Sequence, residues 1–419
     1  MTQSVKSPHT PGAVLKPAFL HTYEQTKAEL YELQRQFPDL VHVEDIGDSY
    51  EKTIGTADRD ILSVRLTSHQ STPDLAASSA TSGATMATAP AKPRALWIAG
   101  VHPIETANPE LMVRFIRELA QGYGHNAEAT ALLDSRELDI VPMANPDGHA
   151  IVEHGYDTHD VHQMQRRKNT GEPFGTDLNR NYDFHWGLGK GSGSDPHSNK
   201  FRGSAAFSEP ETRAIADFAK RLHPGEFIDW HPPGQDVLFP WGDTKQPPPD
   251  AAAFTVLAAH MANLAGYTSE QASKYSTSQG TSDDYMYGAL GIPAFTVESG
   301  TTSRQHDAEF AHDWRVLKPA MMWAAKVSDD AFARGGGPDV IKVNVTPVRQ
   351  LLSAVVSDAH AGGEGIVGAE AFTDWAATPG SGVPMRAFDG TFDSPSERVR
   401  VPTTALGLNP ASRHAAAGP

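Results

Sequence analysis

Short apolar segments alternate with amphipathic helical stretches over most of the chain, and this alternation limits its possible folds more than any other feature. The apolar segments are too short for helices and lack polar alternation, which is typical of strands buried on both faces. They lie at residues 94–100, 138–143, 226–229 and 294–297, and further strands are predicted at 41–46 and 60–67. Amphipathic helices are predicted at residues 22–37, 108–122, 209–222 and 314–327. Strands that alternate with helices predict a layered α/β domain.

Changes in composition divide the chain into one large domain and several shorter segments. Residues 1–17 are predicted to form a tail. Residues 68–93 are rich in Ser, Ala, Thr and Pro and lack periodicity, which predicts a flexible surface insertion. The large domain is therefore expected over residues 18–333. A glycine-rich stretch marks its end, and we predict a linker region over residues 334–364 and a β-rich appendage over residues 365–419.

The appendage carries few strand signals. Short strands are predicted at residues 340–348, 369–372, 384–388 and 398–401. The segments around residues 369–372 and 388–393 resemble parts of bacterial immunoglobulin-like surface modules. Because a complete sandwich needs more strands than these, we expect a partial, immunoglobulin-like unit.

Composition excludes several classes of function. With no cysteine among 419 residues, the chain has no disulfide, no thiolate metal ligand and no cysteine nucleophile. The formal net charge of −16 argues against nucleic-acid binding. No apolar segment reaches the ~20 residues that a membrane-spanning helix needs. Residues 1–17 lack the apolar core of a secretory signal, which by default predicts a cytoplasmic protein.

Two of the predicted buried strands are followed by residues that can bind a metal ion. His102 and Glu105 follow the strand at 94–100, and His231 follows the strand at 226–229. Ligands bind at the carboxyl ends of strands in α/β sheets. A catalytic zinc site needs three protein ligands and one open position, and two histidines with one glutamate fit that requirement. The loop histidines are predicted to be exposed to solvent instead: His149, His154, His159, His162 and His185.

A third strand end carries an unusual carboxylate. Glu298 closes the apolar segment at 294–297. Burying an unpaired carboxylate costs several kcal/mol, so a carboxylate at this position needs a partner or a function. Glu298 is therefore either one half of a structural ion pair or a general base that partial desolvation activates.

Together with further short motifs, these residues resemble the M14 family zinc carboxypeptidases of the carboxypeptidase A/B/T type. The motifs occur in the family's order and with similar spacing over about residues 18–330. They are His102-x-x-Glu105, Asn145-Pro146-Asp147-Gly148, Arg167-Lys168-Asn169, Asp177-x-Asn179-Arg180-Asn181, His231, Asp284-Tyr285-Met286-Tyr287 and Phe295-Thr296-Val297-Glu298. The resemblance implies an α/β fold with a mixed, mostly parallel central sheet flanked by helices. It also implies a hydrolase that removes the C-terminal residue of peptides.

The resemblance implies a metal centre made from the residues singled out above. His102, Glu105 and His231 would bind one Zn²⁺ ion and leave one coordination position for water. Asp177 would accept a hydrogen bond from the ring of His102 and so fix the orientation of that ring. Many members of this family are exported, which speaks against the cytoplasmic default.

The resemblance also implies roles for residues around the metal. Glu298 would act as the general base that takes a proton from the attacking water and passes it to the leaving amine. Arg167 would stabilise the oxyanion of the tetrahedral intermediate. Asn179 and Arg180 would bind the terminal carboxylate of the substrate, because a guanidinium fork matches a planar carboxylate. This clamp would make the enzyme an exopeptidase.

Three positions near the substrate differ from the family pattern or leave alternatives open. Tyr275 is the expected tyrosine that caps the substrate carboxylate, although it lies one residue farther from the aspartate motif than expected, and Tyr285 and Tyr287 are alternatives. Ile104 stands where the A/B branch usually has an arginine that contacts the substrate main chain. Asp283 would line the pocket for the terminal side chain and favour a C-terminal Lys or Arg, or else it is a solvated loop residue.

The sequence leaves three functions open. The first is a zinc carboxypeptidase that acts on ordinary peptides, which the clamp of Asn179 and Arg180 favours. The second is a related hydrolase on the same fold, either a peptidase for cell-wall peptides that end in diaminopimelate or a deacylase for N-acyl amino acids. The third is a non-catalytic binding protein, which the complete set of ligand and base positions argues against. A peptide is the expected partner, and nucleic acid is not.

Overall fold

The computed structural model of the protein describes residues 16–68, 92–328, 331, 338–358, 365–373 and 380–408. Helices lie at Tyr23–Gln36 (α1), Tyr50–Thr53 (α2), Ala107–Gly122 (α3), Ala127–Ser135 (α4), Pro146–Thr158 (α5), Pro210–Leu222 (α6), Ala251–Ala265 (α7), Ala272–Tyr275 (α8), Ser282–Leu290 (α9) and Asp307–Val327 (α10). Strands lie at Val41–Asp48 (β1), Asp60–Leu66 (β2), Arg94–Ala99 (β3), Glu137–Val141 (β4), Glu226–His231 (β5), Asp236–Phe239 (β6), Thr268–Gln271 (β7), Ala294–Glu298 (β8), Asp339–Thr346 (β9), Leu351–Ser357 (β10), Glu370–Ala371 (β11), Val383–Pro384 (β12), Arg386–Ala387 (β13) and Ser396–Pro402 (β14). Among these helices, none is both long and apolar enough to cross a membrane.

The central sheet contains strands in the order β1-β2-β4-β3-β5-β8-β6-β7. Strands β4, β3, β5 and β8 run parallel to one another, whereas β2 is antiparallel to β4 and β6 is antiparallel to β8. This arrangement confirms the predicted mixed, mostly parallel sheet flanked by helices. Because parallel strands present their carboxyl ends at one edge, the residues that follow β3, β5 and β8 meet there. His231 is paired directly with Glu298 across β5 and β8.

Helices cover both faces of the inner strands, which explains why those strands are almost uniformly apolar. Trp97 of β3 is fully buried on one face and stacks on Phe115 of α3, with ring centroids 5.4 Å apart. Trp230 of β5 lies beside it, at 5.8 Å. Leu96 and Ile98 point to the opposite face, because successive strand residues alternate, and they are fully buried as well. Removing both faces from water is what selects apolar residues at successive positions.

Within the described ranges, six helices are additions to the predicted elements, and α10 is longer than predicted; the additions are α2, α4, α5, α7, α8 and α9. Asn145 caps α5, since its Oδ1 atom accepts a hydrogen bond from the backbone N–H of Gly148 (3.0 Å). Helix α7 is apolar around most of its circumference, so it lacks the polar face that apolar periodicity detects. Helix α10 begins at Asp307, ahead of the predicted start at 314, because Glu309 accepts a hydrogen bond from the backbone N–H that precedes the helix (3.0 Å).

The carboxyl end of the predicted insertion at 68–93 belongs to the packed part of the domain. Residues 69–91 lie outside the described residues, as do residues 1–15 of the predicted tail. Lys92 is buried, and its Nζ atom donates to Thr67 Oγ1 (2.8 Å) and to the backbone carbonyl of Leu133 (2.9 Å). A buried ammonium group needs such acceptors, so they fix the point where the chain re-enters β3.

The appendage contains a second sheet, in the order β13-β14-β10-β9. Strand β9 corresponds to the strand predicted at 340–348. Both β9 and β10 lie within the range 334–364 that was expected to be a linker region, and β10 pairs with both β9 and β14. The sequence of β10 does not alternate regularly, which is why periodicity fails to detect it. Val399 and Val401 of β14 are buried with Leu406 in a small core separate from that of the large domain. The range 334–364 therefore supplies two of the four strands of this sheet.

The buried carboxyl group of Glu226 provides a test of the fold. Glu226 begins β5 and accepts a hydrogen bond from Trp97 Nε1 (3.3 Å), and no cation pairs with it among the described residues. Burial raises the pKa of Glu226 to about 8, although the hydrogen bond from Trp97 opposes this rise. The folded state therefore favours the protonated carboxyl. Its contribution to stability is complete below the pKa of about 4.3 in an unfolded chain, and it is lost as the pH rises toward 8.

We therefore expect Glu226→Gln to stabilise the protein at alkaline pH. Urea denaturation should give similar free energies of unfolding for the variant and the wild type at pH 5. At pH 9 the variant should be more stable by roughly 2 to 5 kcal/mol. The exposed Glu172 offers a control, since Glu172→Gln should have the same free energy of unfolding as the wild type at both pH values. An equal effect of Glu226→Gln at both pH values would contradict this account.

Candidate metal centre and active site

Three side chains from two strand ends converge on one point. His102 and Glu105 lie in the turn after β3, and His231 is the last residue of β5; all three are buried. Glu105 Oε1 lies 2.8 Å from His102 Nδ1, and Glu105 Oε2 lies 2.9 Å from His231 Nδ1. The two Nδ1 atoms are 3.1 Å apart. One ligand atom from each residue lies within 4.8 Å of the others, so the three groups can share a single ion.

A carboxylate behind each histidine fixes the orientation of its ring. The Nε2 atom of His102 is 3.0 Å from Asp177 Oδ1, and that of His231 is 3.0 Å from Asp229 Oδ2. The hydroxyl of Ser282 in turn donates to Asp229 Oδ2. Since the Nε2 atoms are engaged by carboxylates, both Nδ1 atoms are left facing the shared centre. Metal-binding histidines in proteins are held in this way.

Asp229, the partner of His231, is not among the site residues predicted from the sequence. The signal was present, because residues two apart on a strand lie on the same face. Asp229 and His231 have this spacing on β5, and both are buried. The partner of His102, by contrast, is the predicted Asp177.

The charge balance of this cluster fits a divalent cation. Burial would raise the pKa of Glu105, but His102 and His231 outweigh it and hold that pKa at about 2. Burial would lower the pKa of His231, but Asp229 and Glu105 outweigh it and raise that pKa well above its ordinary value. The carboxylates around the two rings therefore favour a positive charge at this point, and without a metal ion that charge is the proton on His231. A divalent ion that displaced this proton would supply more positive charge at the same point.

Arg167 lies at the edge of the cluster. Its Nε atom donates to Asp177 Oδ2 (3.0 Å), and its Nη1 atom is 3.9 Å from Glu105 Oε1. The preceding residue contacts the turn after β3, since the carbonyl of Arg166 accepts a hydrogen bond from the backbone N–H of Ile104 (2.8 Å). Two carboxylates therefore hold the guanidinium group beside the three converging ligands, and a backbone contact of the preceding residue holds its segment.

Glu298 ends β8 next to His231 and faces the same cavity. Burial raises the pKa of Glu298 to about 8; the charge of His231 opposes this rise, and the charge of Glu105 adds to it. Arg167 also lowers this pKa, but the described residues give the carboxylate no hydrogen-bonded ion pair. The arrangement differs from a structural salt bridge, which was the alternative interpretation of this residue.

Asn179 and Arg180 lie in the wall of the cavity, on a short 3₁₀ turn at Leu178–Arg180. Asp177 starts this turn, because its Oδ1 atom accepts a hydrogen bond from the backbone N–H of Asn179 (3.1 Å). The side-chain oxygen of Asn179 accepts from the backbone N–H of Ser282 (2.9 Å). Arg180 is buried, and its Nε atom donates to the carbonyl of Gly191 (3.0 Å). Both side chains are therefore fixed before any substrate binds.

The three candidate tyrosines occupy different environments. Tyr275 lines the cavity, is 40% exposed and donates its hydroxyl to the carbonyl of Pro233 (2.6 Å). Tyr285 is buried against the ring of Tyr182, with centroids 5.7 Å apart. The hydroxyl of Tyr287 donates to Asp250 (2.7 Å), away from the cavity lining. Of the three, Tyr275 alone lines the cavity.

Asp283 is a buried cavity residue rather than a solvated loop residue, with 3% of its surface exposed. Burial raises its pKa, hydrogen bonds from Thr281 and Asp284 oppose the rise, and the charge of Asp229 adds to it. The neighbouring Asp284 has a different role, since its carboxylate accepts a hydrogen bond from the backbone N–H of Gly242 (3.0 Å). The cavity that Asp283 lines has a volume of about 770 Å³ and also contains the His-Glu-His cluster.

One of the loop histidines differs from the prediction of solvent exposure. His149 is buried in α5, and its Nε2 atom lies 3.1 Å from the carbonyl of His21. The segment that leads into α1 covers it, a long-range contact that local sequence does not indicate. His154, His159, His162 and His185 are exposed as predicted.

An α/β domain with two histidines and one glutamate at its strand ends has the ligand set of a catalytic zinc centre. A family model described as zinc carboxypeptidase (Peptidase_M14) matches residues 26–320. The chain therefore belongs to this family, which confirms the resemblance seen in the sequence.

Individual relatives agree with this assignment. The chain is 28% identical over 294 residues to a zinc carboxypeptidase of Saccharothrix mutabilis subsp. capreolus, covering 66% of this chain and 61% of the relative. It is 30% identical over 292 residues to zinc carboxypeptidase A 1 of Anopheles gambiae, covering 66% of this chain and 59% of the relative. The chain thus spans about three fifths of the length of these relatives. The crystal structure of thrombin activatable fibrinolysis inhibitor superposes with a TM-score of 0.62 at 25% identity, covering 74% of each chain.

The geometry predicts that Zn²⁺ binding depends on the carboxylates behind the histidines. Asp229→Asn keeps the shape of the side chain but removes its charge, and such changes typically weaken metal binding 10- to 100-fold. Isothermal titration calorimetry with Zn²⁺ should show this loss, and Glu105→Gln should weaken binding further. The exposed Asp217 on α6 is the matched control, since Asp217→Asn should bind Zn²⁺ like the wild type. Unchanged affinity in Asp229→Asn would contradict the assignment.

Proposed function

We propose that this chain is a zinc-dependent metallocarboxypeptidase that removes the C-terminal residue of peptides. The observation that carries the proposal is the position of Glu298 beside the His102–Glu105–His231 cluster, in a cavity that also contains Arg180. Metal ligands, a base and a carboxylate-binding group in one cavity are the parts that such a hydrolase requires.

His102, Glu105 and His231 would hold one Zn²⁺ ion, and that ion would supply polarisation of the scissile carbonyl and a lowered pKa of the attacking water. Glu298 accepts the proton of that water and delivers it to the leaving amine. The raised pKa of Glu298 suits both steps, because a base must also act as an acid within one cycle. Arg167 stabilises the negative charge that develops on the carbonyl oxygen.

Asn179, Arg180 and Tyr275 bind the terminal carboxylate of the substrate. Arg180 offers a guanidinium fork that suits a planar carboxylate, and Asn179 is already oriented by its contact with Ser282. The partly exposed Tyr275 can exchange its hydrogen bond with Pro233 for one to the substrate. A clamp for a terminal carboxylate restricts cleavage to the last peptide bond.

Asp283 gives the enzyme a preference for C-terminal Lys or Arg. It is buried in the same cavity, and burial raises its pKa. Within the described residues no hydrogen-bonded cation neutralises it. The charges of His231 and Arg180 act on Asp283, and a basic side chain of the substrate would add a direct counter-charge. Loss of one partner from such a buried pair is costly.

The role of Glu298 as the base predicts the behaviour of Glu298→Gln. The amide cannot accept the proton, so kcat should fall by at least about 100-fold on a peptide that ends in Arg. Elemental analysis should find as much zinc in the variant as in the wild type, because Glu298 is not among the ligands. Full activity in a variant whose zinc content has been verified would rule out this mechanism.

The preference for basic residues predicts a selective effect of Asp283→Asn. The ratio kcat/KM should fall by about 10- to 100-fold for peptides that end in Arg or Lys, because their charge loses its partner. Peptides that end in Leu should change by less than about threefold. Thermal denaturation of both proteins serves as the control for folding. Equal losses on Arg-ended and Leu-ended peptides would show that Asp283 does not select the side chain.

A further inference from the structure

Arg304 has a guanidinium nitrogen that the fold leaves without a partner. The residue lies in the loop between β8 and α10, and its Nη1 atom is buried without a hydrogen-bond acceptor in the described structure. The loop itself is held in place, since Thr302 Oγ1 donates to the backbone carbonyl of Arg304 (3.1 Å). Burying a charged N–H group without an acceptor is costly. An acceptor from a bound molecule would remove that cost.

Arg304 lines the same cavity as Glu298, but its neighbours are not those of the proposed carboxylate clamp. The charge of Arg304 acts on Tyr156, a buried residue of α5 that clusters with Met164. Gln165, which follows Met164, also lines the cavity. The clamp residues, in contrast, come from the turn at 178–180 and from the end of α8. Arg304 and Gln165 therefore form a second wall of the cavity, built from other segments than the clamp.

The remainder of the substrate has to pass along this second wall. If the terminal residue is held by the clamp and the scissile bond lies at the metal, the preceding residues extend toward the uncommitted part of the cavity. Ile104 lines that part and offers no side-chain donor, and Gln165 is neutral. The exposed Lys200 adds a second positive charge to the cavity lining. Arg304 is therefore the cation that this part of the lining offers to the substrate.

We propose that Arg304 forms a subsite for an acidic side chain of the substrate, one or two residues before the scissile bond. A guanidinium group binds a carboxylate through two parallel hydrogen bonds, which neither Gln165 nor Ile104 can offer. This proposal rests on the proposed carboxypeptidase function. It adds selection of a residue before the scissile bond to the selection of the C-terminal residue by Asp283. The preferred peptides would carry an acidic residue, which binds Arg304, shortly before a basic C-terminal residue, which binds Asp283.

The test uses acetylated tetrapeptides that end in Arg and carry Glu, Gln or Lys at the second or third position from the C-terminus. The zinc-loaded wild type should show a kcat/KM about five- to tenfold higher with Glu than with Gln at one of these positions. Arg304→Gln should remove this preference, and Arg304→Glu should reverse it in favour of Lys. A reversal cannot arise from damage to the fold, which would lower all rates together.

Arg315→Glu is the matched control, because this exposed arginine on α10 lies outside the cavity lining and the substitution changes the net charge equally. It should retain the wild-type preference. Isothermal titration calorimetry with the Glu298→Gln variant measures the affinities of the same peptides without turnover, and so ranks Glu, Gln and Lys by binding alone. If the wild type cleaves none of the peptides, the proposed function fails, while the binding ranking still tests Arg304. Equal rates and affinities for Glu, Gln and Lys, or a preference that persists in Arg304→Glu, would overturn the subsite.

Discussion

The concentration of buried carboxylates at one edge of the central sheet is the constraint on which the site depends. Glu105, Asp177, Asp229 and Glu298 are all largely removed from solvent around two imidazole rings. Such a cluster is stable only if positive charge offsets it, and Arg167 contributes one such charge. A divalent ion at the point where His102 and His231 meet would complete the balance. It would also account for the way both rings present their Nδ1 atoms to each other.

Regular secondary structure provides most of the precision of this arrangement. Asp229 and His231 are fixed relative to each other by the pleat of β5, and the pairing of β5 with β8 brings Glu298 alongside. The proposed substrate contacts come from connecting segments instead: Arg180 from a 3₁₀ turn, Tyr275 from the end of α8 and Arg304 from the loop before α10. Groups that share the metal chemistry thus stand on strand ends, where backbone hydrogen bonds limit their movement.

Local sequence was sufficient for the inner strands and for the metal cluster, because apolar segments followed by His102, Glu105 and His231 specify both. It was insufficient wherever the deciding contact was distant along the chain. The burial of His149 depends on the segment before α1, and β10 is defined by its pairing with β9 and β14 rather than by its own pattern. Sequence also does not distinguish the three tyrosines, because only the folded positions of α8 and α9 show that Tyr275 lines the cavity and that Tyr285 and Tyr287 do not.

The central claim is that one metal ion binds between His102, Glu105 and His231. Anomalous X-ray diffraction at the zinc absorption edge, on crystals of the zinc-loaded protein, tests it directly. The account predicts one strong anomalous peak per chain, surrounded by the Nδ1 atoms of both histidines and the carboxylate of Glu105. A peak at another position, or no bound zinc in a protein that hydrolyses peptides, would contradict it.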